Sequence, residues 1–426
     1  MDQGVVEAAD MSRRAMTEDT GKETIKKIPR NLWAVSLTSF FMDISSEMVI
    51  NILPLFLSNV LGVRTNLIGV IEGVAEATAS VLKVFSGWLS DRLRSRKWLA
   101  VAGYGISALA KPFFGFANSW SVIAVARWVD RAGKGIRTAP RDALVADSIE
   151  MKHRGLAFGL HRAADTGGAV VGLLIAMLVV RNVQTDQAYL GISTFRTVVL
   201  VSLVPAFLAV LALALGAKEV EVGQKHELPK FAFRSLGKPF MVFMLIVGIF
   251  DLGNSSDAFL VLRAQERGIS VTGILGMLVV FNVVYALTST PAGSLSDRVD
   301  RRRLIVGGWL VYALIYLGFG LARSAWQVWT LYVFYGFYYG LAYGTTKAMV
   351  ADLVPIELRG TAYGTYNALL GVLDFPASVI AGLLWQGAGG WPGFGPSAPF
   401  LFGAMMALLA AILMWKWMPT AAQVKK

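Results

Sequence analysis

Apolar runs of about 20 residues recur along this chain from Leu32 to Trp417, each long enough to cross the hydrocarbon core of a bilayer as a helix. Reading those runs against the polar breaks predicts twelve spans. They lie near 32–58, 66–90, 98–115, 120–143, 155–180, 196–216, 239–262, 272–296, 304–322, 326–349, 361–386 and 399–418. The expected class is an all-α polytopic membrane protein with the lipid bilayer as its solvent. Charged residues make up only 16% of the 426 positions, against about 25% in a soluble domain. Mixed polar residues precede the first run, so the start does not read as a secretory signal peptide.

The net charge of +12 sits mostly in short connections such as RLRSRK (92–97) and DRVDRRR (297–303). Alternate connections carry it, which is orientation information and not a nucleic-acid signal. Both termini are expected in the cytoplasm, with the protein in the plasma (inner) membrane. There is no cysteine, so disulfides and thiolate chemistry are excluded. The three histidines form no HExxH motif, and neither a metal nor a cofactor is expected.

The two halves of the chain repeat each other. SGWLSDRLRSRK (86–97) returns as AGSLSDRVDRRR (292–303), and ALVADSIEMKHRGLAFG (143–159) as AMVADLVPIELRGTAYG (348–364). The offset is nearly constant, which indicates twelve transmembrane helices in two six-helix pseudo-repeats. Parallel repeats of this kind describe a transporter with its site between the halves. The expected organisation is a tail at 1–30, a first half at 31–216, a linker at 217–238, a second half at 239–418 and a tail at 419–426.

The loop motif G-x-L-x-D-R, followed by basic residues and present twice, resembles the signature of the major facilitator superfamily, and the resemblance covers essentially the whole chain. Gly87, Leu89, Asp91 and Arg92 match one copy, and Gly293, Leu295, Asp297 and Arg298 the other. The glycine usual three residues after the aspartate is replaced by Arg94 and Asp300. The resemblance implies that spans one, four, seven and ten line a central cavity, that the protein is a monomer, and that Gly87, Asp91, Arg92, Gly293, Asp297 and Arg298 take part in gating. In physical terms, a carboxylate at a helix end can cap the positive N-terminus of a neighbouring helix. A plainer reading is that the basic residues only fix topology.

Span four carries RWVDRAGKGIRTAPRD (127–142). At about 100° per residue, Arg127, Asp130, Arg131, Lys134, Arg137 and Arg141 share one arc of roughly 120°. Ionisable groups at such depth cost at least about 2.5–3.5 kcal/mol each, so they should face water, one another or a solute. Carboxylates are available on the neighbouring spans at Asp43, Glu47, Glu72, Glu76 and Asp165. A buried structural ion network is the alternative for most of these residues, and Lys83 and Lys111 are read that way.

In the second half the candidate buried charges are Asp251, Asp257 and Asp374. The corresponding stripe on span ten is aromatic: Tyr332, Tyr335, Tyr339 and Tyr343 share one face. The small-residue pairs GVIEG (69–73), GAVVG (168–172) and GFYYGLAYG (336–344) permit close helix contacts across which the halves would slide.

These features predict a secondary active transporter for a small organic, expectedly anionic, solute, working by alternating access with proton coupling. Arg127, Arg131 and Lys134 would hold the anionic group, arginine suiting carboxylate or phosphate. Tyr335, Tyr339 and Tyr343 would pack on its body. Asp43, Glu47, Glu76 and Asp165 are the proton-coupling candidates, since their surroundings set their protonation.

The alternative is a proton-driven drug or metabolite efflux antiporter. Against it, AADTGG (163–168) lacks the G-P of the span-five motif that such antiporters carry, and Arg131 stands where their span-four motif has glycine. No enzyme is expected: AGKGIRT (132–138) lacks the full phosphate-loop pattern and follows no strand.

Overall fold

The computed structural model describes residues 28–150, 153–186, 188–220, 236–296, 299–355 and 358–418, with side chains described at all of these except 290, 292–296 and 342–344. Most of the expected N-terminal tail, much of the linker and the C-terminal tail from 419 lie outside the described residues.

Among the described residues the chain crosses twelve times. The first half comprises α1 (Arg30–Ile50), α2 (Thr65–Leu93), α3 (Lys97–Phe116), α4 (Trp120–Asp147), α5 (Arg154–Val183) and α6 (Ile192–Gly216). The second comprises α7a (Lys238–Leu252) with α7b (Ala258–Glu266), α8 (Val271–Ser296), α9 (Arg301–Leu321), α10 (Ala325–Asp352), α11 (Arg359–Gln386) and α12 (Ala398–Trp417). Helices are the expected outcome in lipid, where each backbone N–H and C=O must be satisfied within its own segment.

Two spans depart from continuous helix. α1 is extended past Asn51 by a short turn at Leu53–Leu55, with Pro54 inside it, and a π-helical turn at Phe56–Val60. Span seven, expected to run unbroken over 239–262, is interrupted between Gly253 and Asp257. The local cause is Gly-Asn-Ser-Ser, a run of residues that either gain most from leaving a helix or hydrogen-bond the backbone in competition with it.

Eight of the twelve spans are long and apolar enough to cross a membrane by composition alone. The other four are α2, α4, interrupted span seven and α10, and these contribute Glu76, Arg131, Asp257 and Tyr339 to the central cavity. Polar content is concentrated where a helix is shielded from lipid. The outward surface remains apolar, with Leu200, Val204 and Leu215 of α6 and Leu314 and Leu321 of α9 exposed.

Within the first half, α1 packs on α5 and α6, and α4 on α2 and α3. In the second half, α8 packs on α10 and α9 on α12. The halves meet along α2–α11 and α5–α8. Glycine sets the first of these seams. A Cβ at Gly69 would stand 2.3 Å from the Ser378 carbonyl oxygen, and one at Gly73 2.9 Å from that of Phe375. GAVVG and GFYYG serve contacts inside a half instead: Gly168 lies on the Phe40 backbone of α1, and Gly340 on Thr288 of α8. Of the three small-residue pairs, only 69–73 lies between the halves.

Candidate functional site

The start of α1 and the end of α12 share one face with the helix ends that the connections α2–α3, α4–α5, α6–α7a, α8–α9 and α10–α11 join, called here the terminal face, and the opposite helix ends form the distal face. Distally the halves are hydrogen-bonded together. Arg64 Nη2 donates to the Gln386 carbonyl at 2.9 Å, Asn66 Nδ2 to that of Gly387 at 2.7 Å, and the Thr65 amide to Gln386 Oε1 at 2.6 Å. Gln265 Nε2 adds a contact to the Ala188 carbonyl at 2.9 Å.

Beneath this closure lies a cavity of about 340 Å³ between the halves. A second cavity, of about 980 Å³, shares Glu76, Asn254, Asp257, Tyr339 and Asp374 with it. It runs to Asp91 and Gly360, at the terminal-face ends of α2 and α11. The path is closed distally and runs toward the terminal face.

The charged stripe of α4 divides by function of place. Arg127 is only 1% exposed, with Nη2 2.6 Å from Glu72 Oε2 and 3.5 Å from Glu76 Oε1. It ties α4 to α2 and does not line the central cavity. Arg131 does line it: Nη2 pairs with Glu76 Oε1 at 2.7 Å, and Nε has no hydrogen-bond partner among the described residues. Lys134 is exposed and within electrostatic reach of Arg131, Glu76 and Asp43. Among the described residues no carboxylate lies within 4 Å of its ammonium. Arg137 donates to Ser107 Oγ at 2.6 Å and stacks on Tyr104, while Arg141 pairs with Asp142 at 2.8 Å. Lys111 is buried beside Ser46.

The carboxylate candidates fall into two groups. Glu47 accepts from Asn51 Nδ2 at 2.8 Å and lines the central cavity, as does Glu76, held between Arg127 and Arg131. Asp43 and Asp165 belong to a second cluster on α1 and α5, with Asp165 Oδ2 3.7 Å from His161 Nε2.

The tyrosine stripe is largely packing. Tyr332 and Tyr335 are buried against Phe281 and Phe319, although the Tyr335 hydroxyl reaches Asp257 Oδ1 at 3.1 Å. Tyr339 lines both cavities. The side chain of Tyr343 lies outside what is described.

In the loop motif, Asp91 Oδ1 lies 3.2 Å from Arg96 Nη2, and Arg96 Nη1 3.0 Å from Asp147 of α4. Arg92 stacks on Trp88, and Gly87 faces Ala139 of α4. Arg94 takes up a left-handed conformation at φ 50°, the one non-glycine residue with positive φ among the described residues. The turn keeps its tightness without its usual glycine. In the other copy, Asp300 caps α9 by accepting from the Arg302 amide at 2.9 Å. Asp297 and Arg298 lie outside the described residues, and Gly293 falls within α8 where surroundings are not described.

Sequence reasoning passed over Asn51, Asn254 and Ser378, which also line the central cavity. The available signal was the Gly-Asn-Ser-Ser run at 253–256, which lies inside the stretch read as one span.

The family model of the Major Facilitator Superfamily matches residues 35–256 and 241–426. An uncharacterized MFS-type transporter of Methanocaldococcus jannaschii is 33% identical over 398 residues, covering 92% of this chain and 96% of its own. The multidrug resistance protein MdtG of Serratia proteamaculans is 23% identical over 403 residues, covering 91% and 93%. Among solved structures, a POT family transporter in complex with a thioalcohol-conjugated peptide superposes with a TM-score of 0.76 at 12% identity, covering 93% of this chain and 97% of that one.

Proposed function

This chain belongs to the Major Facilitator Superfamily, an integral membrane transporter by that membership, and we propose that it moves a small organic solute bearing an anionic group by proton-coupled alternating access. The carrying observation is Arg131: a guanidinium on the wall of a cavity between the halves, paired with a carboxylate that also touches that cavity. An incoming carboxylate or phosphate competes with Glu76 for Arg131, and exposed Lys134 adds a second positive charge one turn along α4. Glu76, deprived of its partner, takes up a proton. Binding and protonation are thereby linked through one guanidinium. Arg127 has a positioning role in this scheme, holding Glu76 from behind. Asp43, Glu47 and Asp165 supply further proton-accepting groups near the path.

By the positive-inside rule the terminal face is cytoplasmic, which makes the conformation inward-open.

The test is transport in proteoliposomes with a panel of labelled carboxylates and phosphate esters under an imposed pH gradient. The wild type is expected to accumulate one of them. Glu76→Gln should keep solute exchange and lose gradient-driven accumulation, whereas Arg131→Ala should lose both. Wild-type accumulation by Arg131→Ala would sink the reading. Efflux of drugs or metabolites by proton antiport is the second reading, supported by the full-length likeness to MdtG. Transport of lipophilic cations indifferent to Arg131→Ala would put it first.

A further inference from the structure

The cavity walls are chemically unequal. The first half contributes the basic groups Arg131, Lys83 and Arg162 together with the carboxylates Glu47, Glu72, Glu76 and Asp91, whereas the charged groups of the second half are all acidic. The second half contributes Asp251 from the end of α7a, Asp257 from the break in span seven and Asp374 from α11, all lining the larger cavity. Asp257 and Asp374 also line the central one. Among the described residues, no Lys, Arg or His nitrogen lies within 4 Å of any of these three carboxylates. Among the described residues the Asp257 carboxylate accepts one hydrogen bond, from the Tyr335 hydroxyl.

Asp251 is the informative member. It is 5% exposed, it borders the cavity, and its Oδ2 has no hydrogen-bond partner among the described residues. A buried carboxylate oxygen left bare is costly, and removing charge from water is tolerated only with a compensating partner. A cationic donor arriving through the cavity would supply such a partner. A metal ion does not fit: no group of three or more metal-ligating side chains comes together among the described residues. An organic ammonium does, because it needs only one or two carboxylate acceptors at hydrogen-bond distance and is drawn by the remaining charge at longer range.

We propose that Asp251, Asp257 and Asp374 receive a cationic ammonium group, so that the transported solute is zwitterionic, its anionic end on Arg131 and its cationic end on the three aspartates. The inference rests on the anionic-group reading given above and adds the second recognition point. Each end of such a solute is bound by a different half, so binding bridges the two bodies whose relative motion carries out transport.

Binding of matched trios to the purified full chain tests this. Each trio shares one skeleton: 4-aminobutanoate with butanoate and butylamine, and 6-aminohexanoate with hexanoate and hexylamine. Affinity is read from the rise in melting temperature with concentration. In the wild type at least one aminoalkanoate is expected to bind at least about tenfold more tightly than its carboxylate. Asp257→Asn and Asp374→Asn should each reduce that preference to about threefold or less. Asp257 is accessible and replaced by an isostere, and each variant's melting temperature without ligand is recorded as the folding control.

Carboxylates that bind through Arg131 while aminoalkanoates bind no better would overturn the inference and leave the proposed function standing. A preference that survives both aspartate variants overturns it as well, and reduces the three aspartates to proton carriers. If no member of either trio binds, or if carboxylate binding survives Arg131→Ala, the proposed function fails together with the inference. Binding of the amines alone, lost in Asp257→Asn, would keep the cationic subsite and sink the anionic one.

Discussion

Arg127 Nη2 and Glu72 Oε2 lie 2.6 Å apart, with both residues buried. This is the most buried ion pair of the first half among the described residues, and it takes out of contact with the central cavity one of the three basic residues that the sequence nominated for the solute. Removing one member of such a pair strands the other and costs about 3–5 kcal/mol, whereas replacing both by apolar residues of similar volume is far milder. Glu72→Leu should therefore lower the melting temperature sharply, and Arg127→Met combined with Glu72→Leu should recover most of the loss. An Arg127→Met variant of normal stability that no longer binds solute would return Arg127 to the solute site.

The distal closure makes a second prediction. With no native cysteine, Ser255→Cys on the central cavity becomes a unique reporter for a membrane-impermeant thiol reagent added from the distal side. Each hydrogen bond across the closure is worth about 1 kcal/mol net. Asn66→Ala or Gln386→Ala should raise labelling about fivefold. Gly69→Ala, whose new methyl would meet the Ser378 carbonyl, should do the same by wedging the halves apart. Gly168→Ala disturbs a contact inside one half and should lower stability without raising labelling. Equal labelling in all four variants would mean that the distal contacts do not hold the closure.

The left-handed Arg94 is a place where the chain can be improved. An L-residue there costs about 1–2 kcal/mol, and the larger unfolded-state freedom of glycine gives back about 0.5–1 kcal/mol of that. Arg94→Gly should stabilise the protein slightly, by up to about 1 kcal/mol, while Arg94→Val should destabilise it. A lower melting temperature for Arg94→Gly would show that the arginine side chain holds the turn by contacts stronger than the strain.

Glu219, just beyond α6, receives the backbone amides of Arg96 and Lys97 at 2.8 and 2.9 Å and the Ser95 hydroxyl at 3.0 Å. Burial opposes its ionisation, but the amides of Lys97 and Arg96 outweigh that and hold its carboxyl below the ordinary 4.5. A depressed folded value means the contribution is complete above the ordinary value and is lost as pH falls through the folded one. Glu219→Gln should cost up to about 1 kcal/mol at neutral pH, and the difference from wild type should vanish in acid. A difference that persists unchanged in strong acid would assign the effect to shape and not charge.

The twelve spans were legible because each is written locally, as an apolar run of fixed length between polar breaks. The interruption of span seven was not, since Gly253 to Ser256 is short enough to be overlooked inside an apolar run. On α4 the sequence places Arg127, Arg131 and Lys134 on one face but cannot say which has a carboxylate waiting on another helix. Glu72 claims Arg127, Glu76 is divided between Arg127 and Arg131, and Lys134 is left to solvent. Pairing across helices is a property of packing, and no spacing along one chain segment encodes it. The same holds for Tyr332 and Tyr335, whose aromatic neighbours on α8 and α9 turn a stripe into core.

The outer piece of span seven is pinned by Arg263, which donates to the carbonyls of Phe319, Gly320 and Ala322 at the end of α9 and to Ser397 before α12. α7b is therefore a fixed part of the distal lid, and α7a a separate strut. The residues between them, Asn254 to Asp257, line the cavity. Whatever the cavity holds is held by the joint itself. A solute bound there would rest against the hinge between strut and lid, and any change in the angle between them would change its affinity by the same free energy with which the solute resists that change.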